Sequence, residues 1–401
     1  MKILIINSVC GNGSTGRIAA DTYHVLKNAG HECRVAFGIG TSSNMPAEDT
    51  YKFNSRFGYY LHNALSRITD RAGFYSPIAT RRLLRYIREY DPDVIQLHNL
   101  HGYYVNIKML FQFLRKLGKP VIWTLHDCWA LTGHCVHFAL AGCRRWKEGC
   151  YRCPQKGTYP ISLLCDRSKK NYRQKRQLFT GISDMQIITP CEWLAELTRM
   201  SYLSKYPIHV IHNGIDLSLF GPTSCDFREK SGLASKKIVL GVAGVWSDKK
   251  GLRDFVQLSE LIESDCKLVL VGLSKEQIST LPPNIIGIEK TQNITELAGL
   301  YSTADVFVNL TREDNFPTVN LEALACGTPV ITYATGGCPE AVDDSCGIVL
   351  HEKSPQAVLA ALPQAMNLDP TACTKRAAEC YNKEDRYLDY LNLYIAKDPQ
   401  S

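Results

Sequence analysis

Apolar and polar positions along the chain form two kinds of alternating segment. Short apolar, β-branched runs end at glycine, proline or polar turns, and segments with apolar residues three and four positions apart follow them. In the first half the strand-like runs are "KILIINS", "CRVAFGIG", "DVIQLHN", "PVIWTLHD" and "MQIITP". Strands that alternate with helices form parallel sheets with helices on both faces, so this half is predicted to be a doubly wound α/β domain.

The alternation restarts after a turn-rich stretch, "HNGIDLSLFGP", and predicts a second domain of the same kind. Strand-like "IVLGVAG", "KLVLVG", "DVFVNL" and "PVITYA" alternate there with helix-like "LRDFVQLSELIE", "ITELAGLYSTA" and "TVNLEALA". A last helical segment has its apolar residues on one stripe and is expected to pack back on the fold. The predicted parts are an N-terminal domain over residues 1–212 with a cysteine-rich insertion at about 128–155, a second domain over 213–380, and a C-terminal helix over 381–401.

Composition narrows the classes of protein. With 401 residues, 45% of them hydrophobic and 21% charged, the chain suits two domains of ordinary size. The net charge of +7 is too mild and dispersed for nucleic acid, and it suits an anionic substrate or a membrane surface. No apolar run approaches the roughly 18–20 residues of a spanning helix, and "MKILIINS" is too short for a signal peptide. We therefore expect a cytoplasmic protein, with no nucleic-acid partner and with reduced cysteines.

Two carboxylates flank a proline in "TREDNFPTVNLEALACGTPVITYATGGCPEAV", residues 311–342. Pro317 suits the first turn of a helix and Gly327 the position after its end. Asp314 is therefore expected in the loop at the carboxyl end of a parallel strand, where open sheets bind ligands. Glu322 lies more than one turn into a mainly apolar helix, so it needs hydrogen-bond donors such as sugar hydroxyls. On spacing alone, an exposed Glu322 and a turn-capping Asp314 stay an open alternative.

The run "REDNFPTVNLEALACGTPVITYATGGCPE" resembles the acidic signature of retaining family-four glycosyltransferases with the GT-B fold. Further stretches are similar to the family's motifs, in the family's order: "GNGSTGR", "DVIQLHNLHGYY", "TLHD", "TPCEWLAEL", "HNGID" and "DKKGLRDF". The resemblance covers nearly the whole chain and looks closest to members that build bacterial surface polysaccharides. It implies two Rossmann-like domains facing across a cleft. The C-terminal domain would hold a nucleotide-diphospho-sugar donor, and the N-terminal domain a saccharide or lipid-linked saccharide acceptor.

The resemblance assigns roles to the acidic stretch. Glu322 would hydrogen-bond the ribose of the donor, and Asp314 would hold hydroxyls of the transferred sugar near the reacting carbon. The family usually has glutamate at the first acidic position, so Glu313 is the alternative catalytic candidate beside Asp314. Asn315 and Phe316, which follow directly, are assigned to donor binding with them.

The resemblance also assigns the cations. Lys250, directly before a glycine, matches the residue that neutralises the donor diphosphate as the bond to the sugar breaks. Its neighbour Lys249 is expected to point to solvent. The family's companion arginine falls at Val245 in this sequence. We therefore consider Arg312 as the replacement cation on the donor side.

The N-terminal domain offers candidates for the acceptor side. Gly13, Ser14 and Gly16 lie in the loop after the first strand, where small residues let the backbone approach an anion or the acceptor. The loop also fits the G-x-G-x-x-G of dinucleotide-binding proteins, but the strand "CRVAFGIG" has no acidic residue at its end. His126 of "TLHD" ends a strand and is the candidate to polarise the sugar or orient the acceptor. His98 and His101 of "LHNLHG" lie at another strand end and are either acceptor-lining or structural.

The insertion contains clustered thiols. Four cysteines at this spacing can close a tetrahedral zinc site, and free buried thiols are the alternative. The candidate ligands are Cys135, Cys143, Cys150 and Cys153, with His134 and His137 as substitutes. The basic "CRRWK" in the insertion suits an anionic acceptor or lipid headgroups, which would place the protein peripherally at the inner face of a membrane.

The sequence therefore predicts a retaining glycosyltransferase of polysaccharide biosynthesis that needs no cofactor for catalysis. Two alternatives stay open. A nucleotide-sugar 2-epimerase has a similar architecture and would turn over the donor without an acceptor. A non-catalytic nucleotide-sugar-binding protein would bind the donor without turnover. This alternative is considered because Asp314 and Val245 differ from the residues that the family usually has at these positions.

Overall fold

Two parallel sheets organise the chain. A computed structural model describes residues 1–395. Contacts divide the chain into two units: Met1–His212 with the segment from Tyr387 onward, and Asn213–Arg386. The prediction of two doubly wound α/β domains is confirmed. Within residues 1–395, no helix has both the length and the apolar character that crossing a membrane requires.

The first unit is built on seven strands. They are β1 (Lys2–Asn7), β2 (Glu32–Phe37), β3 (Thr50–Lys52), β4 (Val94–Leu97), β5 (Val121–Thr124), β6 (Met185–Thr189) and β7 (Ile208–Val210). Their order across the sheet is β3-β2-β1-β4-β5-β6-β7, and every neighbouring pair is parallel. The helices of this unit are α1 (Gly13–Asn28), α2 (Arg56–Thr69), α3 (Pro77–Tyr90), α4 (Ile107–Leu117), α5 (Ser168–Phe179) and α6 (Glu192–Arg199).

The second unit is built on six strands. They are β8 (Lys237–Val242), β9 (Cys266–Val271), β10 (Ile285–Ile288), β11 (Val306–Asn309), β12 (Val330–Tyr333) and β13 (Gly347–Leu350). The order is β10-β9-β8-β11-β12-β13, again parallel throughout. The helices are α7 (Phe227–Lys230), α8 (Leu252–Ser259), α9 (Lys275–Ser279), α10 (Ile294–Thr303), α11 (Thr318–Ala325), α12 (Pro355–Ala365) and α13 (Pro370–Tyr381), and α14 (Lys383–Ile395) begins here.

Each predicted strand occurs in the structure, whereas β3, β7, β10 and β13 were not predicted. These four are the outermost strands of the two sheets. Inner strands such as β4, β5, β11 and β12 are buried at every position and therefore read as continuous apolar runs. The strands β1, β4, β5 and β6 are parallel neighbours in the first sheet, so their carboxyl ends lie along the same edge of it.

The last helix returns to the first unit. Tyr387, Tyr390 and Tyr394 of α14 are buried in the core that β1 and β2 form with α1. The hydroxyl of Tyr394 donates a hydrogen bond to Gln96 of β4. Burying three tyrosine rings gives this helix most of its stability, since isolated helices of this length are marginal in water. Residues 396–401 of the predicted C-terminal helix lie outside the described residues.

Candidate active site

The acidic loop joins β11 to α11 at the carboxyl end of β11, within the second unit. Helix α11 follows Pro317 and is followed by a left-handed Gly327, as the sequence predicts. A Cβ added to Gly336 would lie only 1.9 Å from the carbonyl oxygen of Asp314, so the glycine turn after β12 needs that residue to lack a side chain. Gly337 N also donates to the Asn315 carbonyl at 2.7 Å. The "GG" turn therefore fixes the position of the acidic loop.

The loop after β8 carries the two lysines and lies against the acidic loop. Lys249 Nζ is 2.6 Å from Glu313 Oε2, and Lys250 Nζ is 2.5 Å from Asp314 Oδ2. A backbone hydrogen bond from Arg312 N to the Lys249 carbonyl, 2.8 Å long, sets this register. The expectation that Lys249 points to solvent is wrong, because the buried carboxylate of Glu313 needs a cationic partner.

Exposure separates the two carboxylates. The Glu313 side chain is 2% exposed, whereas that of Asp314 is 20% exposed. A ligand at the carboxyl end of the sheet can reach Asp314 with no rearrangement of the loop. Glu313, by contrast, faces inward and is covered by its pair with Lys249. The two neighbours therefore differ in what they can do chemically.

Arg312 is paired with a buried carboxylate of its own unit. Its guanidinium contacts both carboxylate oxygens of the buried Asp254 on α8, at 2.8–3.0 Å. It also donates to the Lys353 carbonyl at 3.3 Å. The two-point pair with Asp254 fixes the planar guanidinium, since this geometry matches a carboxylate at two atoms. The assignment of Arg312 to the donor side stays a prediction, and in this structure its charge is paired with Asp254.

Glu322 is buried on α11, and its carboxylate is not turned to solvent. Tyr301 Oη of α10 donates to Glu322 Oε2 at 2.9 Å, and the Thr318 hydroxyl contacts Oε1 at 3.4 Å. The need for hydrogen-bond donors is thus met within the protein, and the open alternative of an exposed Glu322 is wrong. Tyr301 precedes Glu322 by 21 positions, so no spacing rule would have found it.

Asn315 and Phe316 are both buried. The Phe316 ring lies 5.9 Å from the ring of Tyr381, and its carbonyl accepts from Asn213 Nδ2 at 3.3 Å. The side chain of Phe316 therefore packs in the interior of the second unit. Its assignment to donor binding stays a prediction.

The prediction that Gly13, Ser14 and Gly16 lie in a loop is wrong, because all three belong to the first turn of the 16-residue helix α1. Gly13 has φ +67° and begins the helix, and a Cβ there would meet nothing within 4 Å. Gly16 packs against Val9, with an added Cβ 3.1 Å from its side chain. Ser14 is exposed in the first turn. The start of α1 is therefore an open helix N-terminus with small side chains, and this geometry suits an anion.

Two histidines pair at the carboxyl ends of β4 and β5. His98 Nδ1 lies 2.9 Å from His126 Nε2, with the rings stacked 5.2 Å apart. Burial lowers the pKa of His98 well below its usual value, and the nearby His126 lowers it further. Burial also lowers the pKa of His126 to about 4. Both imidazoles are therefore neutral near pH 7, with one ring donating to the other.

A second pair joins His101, one of the two histidines considered for the acceptor side, to Asp127, which was not predicted as its partner. His101 Nε2 lies 2.5 Å from Asp127 Oδ2, and Trp129 N donates to Asp127 Oδ1 at 2.8 Å. Burial opposes ionisation of Asp127, but the charge and hydrogen bond of His101 and the Trp129 N–H together hold its pKa below the usual value. His101 also contacts Tyr159 Oη at 3.1 Å. An anionic carboxylate therefore lies next to the neutral His98–His126 pair.

Side chains of the insertion contact other protein groups. The four cysteines predicted as zinc ligands are all free thiols: Cys135, Cys143, Cys150 and Cys153. Cys135 and Cys153 are hydrogen-bonded to each other. His134, a predicted substitute ligand, instead bonds the carboxylate of the buried Asp70. In the part of the chain that the structure describes, no group of three or more His, Cys, Asp or Glu is arranged to hold a metal ion. The zinc site stays a prediction that this geometry does not favour.

Three neutral histidines make the stability of the first unit depend on pH. Burial lowers the pKa of His62 to about 3, and those of His98 and His126 are also depressed. Below the unfolded value of about 6.5 the unfolded chain binds more protons than the folded one, so acidification weakens the fold. We expect the unfolding free energy to fall between pH 6.5 and 5, by up to about 1.4 kcal/mol per histidine and pH unit. Urea unfolding at stepped pH measures this.

His62→Gln provides the control, because it removes one of the three titrating groups. Its pH dependence should be flatter than that of the wild type by about one histidine's share. The His134–Asp70 pair acts in the other direction: the pKa of His134 is raised, so its contribution is lost only as pH rises through that value. A stability that stays constant from pH 6.5 to 5 would contradict the neutral state of the histidines.

The chain has two Rossmann-like units, each with polar side chains at the carboxyl end of a parallel sheet. This is the architecture of GT-B glycosyltransferases. Two family models match the chain: Glycosyltransferase Family 4 over residues 15–219 and Glycosyl transferases group 1 over residues 224–383. The chain belongs to glycosyltransferase family 4.

Relatives and solved structures agree with this class. One relative comes from Escherichia coli (strain K12) and is named as the colanic acid biosynthesis glycosyl transferase WcaC. It is 27% identical to this chain, and the match covers 98% of this chain and 99% of the relative. The structure of a sucrose-phosphate synthase from Thermosynechococcus elongatus has a TM-score of 0.70 at 17% identity, with 98% of both chains covered. Anabaena HepE in complex with UDP-glucose has a TM-score of 0.66 at 15% identity, covering 99% of this chain and 100% of that one. The GT-B fold is confirmed.

Proposed function

We propose that this glycosyltransferase moves a sugar from a nucleotide-diphospho-sugar donor to a saccharide or lipid-linked saccharide, with retention of configuration, in the synthesis of a polysaccharide. The full-length similarity to the colanic acid protein supports the pathway class. The complex of a structural neighbour with UDP-glucose supports the donor class. The proposal places the reaction in the cytoplasm, at the inner face of a membrane where the acceptor is lipid-linked.

The pair of Lys250 and Asp314 carries the proposal. It stands at the carboxyl end of a parallel sheet, where this type of fold binds ligands, and both side chains are accessible. An incoming diphosphate competes for Lys250, because it offers more negative charge than one carboxylate. Exchange of partners then frees Asp314 to accept hydrogen bonds from hydroxyls of the sugar. Donor binding and exposure of the reactive carboxylate are thereby coupled in one step.

The transfer balances without an added cofactor. The bond between the anomeric carbon and the leaving diphosphate oxygen breaks, and a bond from an acceptor hydroxyl oxygen to the same carbon forms. The acceptor proton passes to the leaving diphosphate on the same face of the sugar, which gives retention. Lys250 stabilises the charge that develops on the diphosphate. In the first unit, the neutral His98–His126 pair offers hydrogen bonds to an acceptor, and the N-terminus of α1 suits an anionic group.

The two alternatives predict different products. A nucleotide-sugar 2-epimerase is not favoured, since the chain belongs to a glycosyltransferase family. A non-catalytic binding protein would hold the donor without turnover. A thermal-shift screen across nucleotide sugars identifies the donor, because a ligand that binds the folded state raises its melting temperature. Slow hydrolysis of that donor then distinguishes an enzyme from a binding protein, and a donor that stabilises the fold but is never turned over would contradict the proposal.

Glu322→Gln is expected to weaken donor binding by roughly 10-fold or more, the scale of a hydrogen bond to a charged group. Glu322 is assigned to the ribose, and its carboxylate is oriented by Tyr301. The dissociation constant of the donor, measured by calorimetry, should rise while turnover at saturating donor changes little. Tyr301→Phe is the matched control: it keeps the carboxylate but removes one orienting bond, so its effect should be smaller. Equal affinities in all three proteins would remove Glu322 from the donor site.

A further inference from the structure

Helix α2 exposes its apolar residues. Phe57 is 76% exposed, Leu61 48% and Ile68 47%. The buried residues of this helix are instead the polar His62 and Ser66. A surface helix of a globular protein has the opposite arrangement, with its apolar stripe facing the core. The exposed stripe of α2 is therefore built to face something other than water.

The exposed stripe continues onto the segment that follows the insertion. Leu163 and Leu164 are 62% and 71% exposed, and Leu163 N donates to the Arg67 carbonyl of α2 at 2.7 Å. We define the α2 face by its exposed apolar residues: Phe57, Tyr60, Leu61, Ala64, Ile68, Leu163 and Leu164. A contiguous apolar face of this kind marks an interaction site.

The predicted lipid contact through "CRRWK" has a different geometry. Trp146 is buried, with its ring stacked 5.0 Å from that of Phe138. Arg145 donates to the carbonyl of Tyr151 at 3.2 Å and lies over its ring. This segment uses its aromatic and one of its cations to hold the insertion together. The exposed apolar surface is on α2.

Charge around the α2 face is positive. Arg56 and Arg67 are exposed on α2 itself, and α2 contains no acidic residue. The first acidic residue after the helix, Asp70, is buried and paired with His134. Arginines that border an apolar stripe keep their charged ends at the surface while the stripe is covered. Apolar and cationic groups thus share one face.

We propose that the α2 face inserts into the surface of an anionic lipid bilayer. An amphipathic helix with basic residues beside its apolar stripe lies in the plane of the headgroups, and anionic lipids add to its binding. A second copy of this chain fits less well, because an interface that uses the same face of both copies brings together two surfaces with arginines and, on α2, no acidic residue to pair with them. The inference rests on the proposed function in its choice of a lipid-linked acceptor.

Aromatic rings connect this face with the acceptor-side histidines of the same unit. Tyr59 of α2 lies 6.0 Å from Tyr103, which lies 6.0 Å from Tyr159. Tyr159 in turn contacts His101, the partner of Asp127. A bilayer bound at α2 would therefore lie at one end of a run of aromatic side chains that leads to the histidines. A lipid-linked saccharide would be delivered along this side of the unit.

Sedimentation with vesicles tests the proposal. We expect the protein to bind vesicles of phosphatidylglycerol mixed with phosphatidylcholine, and vesicles of phosphatidylcholine alone much more weakly. The double variant Phe57→Ser with Leu61→Ser should lower vesicle binding by roughly 10-fold or more. The double variant Arg56→Gln with Arg67→Gln should lower vesicle binding by roughly 5-fold per arginine and make the binding less dependent on salt. These arginine changes leave the apolar contacts intact, so they keep the test valid if the serine variant folds poorly.

The matched control changes two equally exposed apolar residues elsewhere, Met200→Ser and Leu219→Ser, and should bind vesicles like the wild type. No binding by the wild type, or equal losses in the control, would overturn the proposal. A dimer in sedimentation analysis that dissociates in the Phe57→Ser, Leu61→Ser variant would assign the face to a second copy instead. Stabilisation by nucleotide sugars and transfer to a water-soluble acceptor are measured separately, so a failure of the α2 face does not resemble a failure of the proposed function.

Discussion

Lys250→Met is expected to lower kcat/KM by roughly 100-fold or more, the effect of losing one preorganised contact to developing charge. Lys250 lies at the carboxyl end of the second sheet, paired with the accessible Asp314. The position of the family's companion arginine is occupied by Val245, which is 77% exposed. Arg312 is engaged by Asp254. Because Val245 is uncharged and the charge of Arg312 is already paired with Asp254, we expect Lys250 to carry more of the charge stabilisation.

Lys249→Met is the matched comparison, since the two lysines are neighbours of similar exposure. Loss of Lys249 leaves the buried carboxylate of Glu313 without this cation. We expect a loss of stability of roughly 1–3 kcal/mol, the scale of losing a hydrogen bond to a charged group, with kcat/KM changed only a few-fold. Lys249→Met should therefore show its larger effect in the melting curve, and Lys250→Met should show its larger effect in the rate assay. Equal, small losses of activity in both would show that another residue holds the phosphates.

The inner strands of both sheets could be predicted from the sequence, and the outer ones could not. β4, β5, β11 and β12 are buried on both faces, so they appear as unbroken apolar runs. The outer strands are short and half-buried, with patterns that include lysine, histidine and glycine. A strand with one neighbour and partial burial does not need an apolar run, which removes the signal that periodicity depends on.

The candidate site also has features that could be predicted from the sequence and features that could not. Local rules placed Asp314 in its loop and Glu322 on its helix, because proline and glycine mark the ends of α11. Pairings between distant segments were not predictable from spacing. Lys249 meets Glu313 and Lys250 meets Asp314 across 64 positions, and Arg312 meets Asp254 across 58. Such contacts depend on the order of strands in the sheet, which brings the loop after β8 beside the loop after β11.

Asp314→Asn is expected to lower kcat by roughly 100-fold or more, with the KM for the donor unchanged or lower. The carboxylate is assigned to hydroxyls of the transferred sugar, where its charge matters most as positive charge develops on the reacting carbon. Asparagine keeps the size of the side chain but releases Lys250 from its ion pair. The freed lysine meets the diphosphate without competition, so donor binding should not weaken. A fall in kcat without a rise in KM is the mark of an interaction made in the transition state.

Glu313→Gln is the control that decides which carboxylate reaches the sugar. Its side chain is 2% exposed and paired with Lys249, so the amide should lower the melting temperature while kcat stays within a few-fold of the wild type. Steady-state rates with saturating acceptor, together with a melting curve, measure both effects in each variant. If Glu313→Gln abolished turnover while Asp314→Asn left it intact, the acidic loop would have to rearrange on donor binding so that the buried carboxylate becomes the one that meets the sugar.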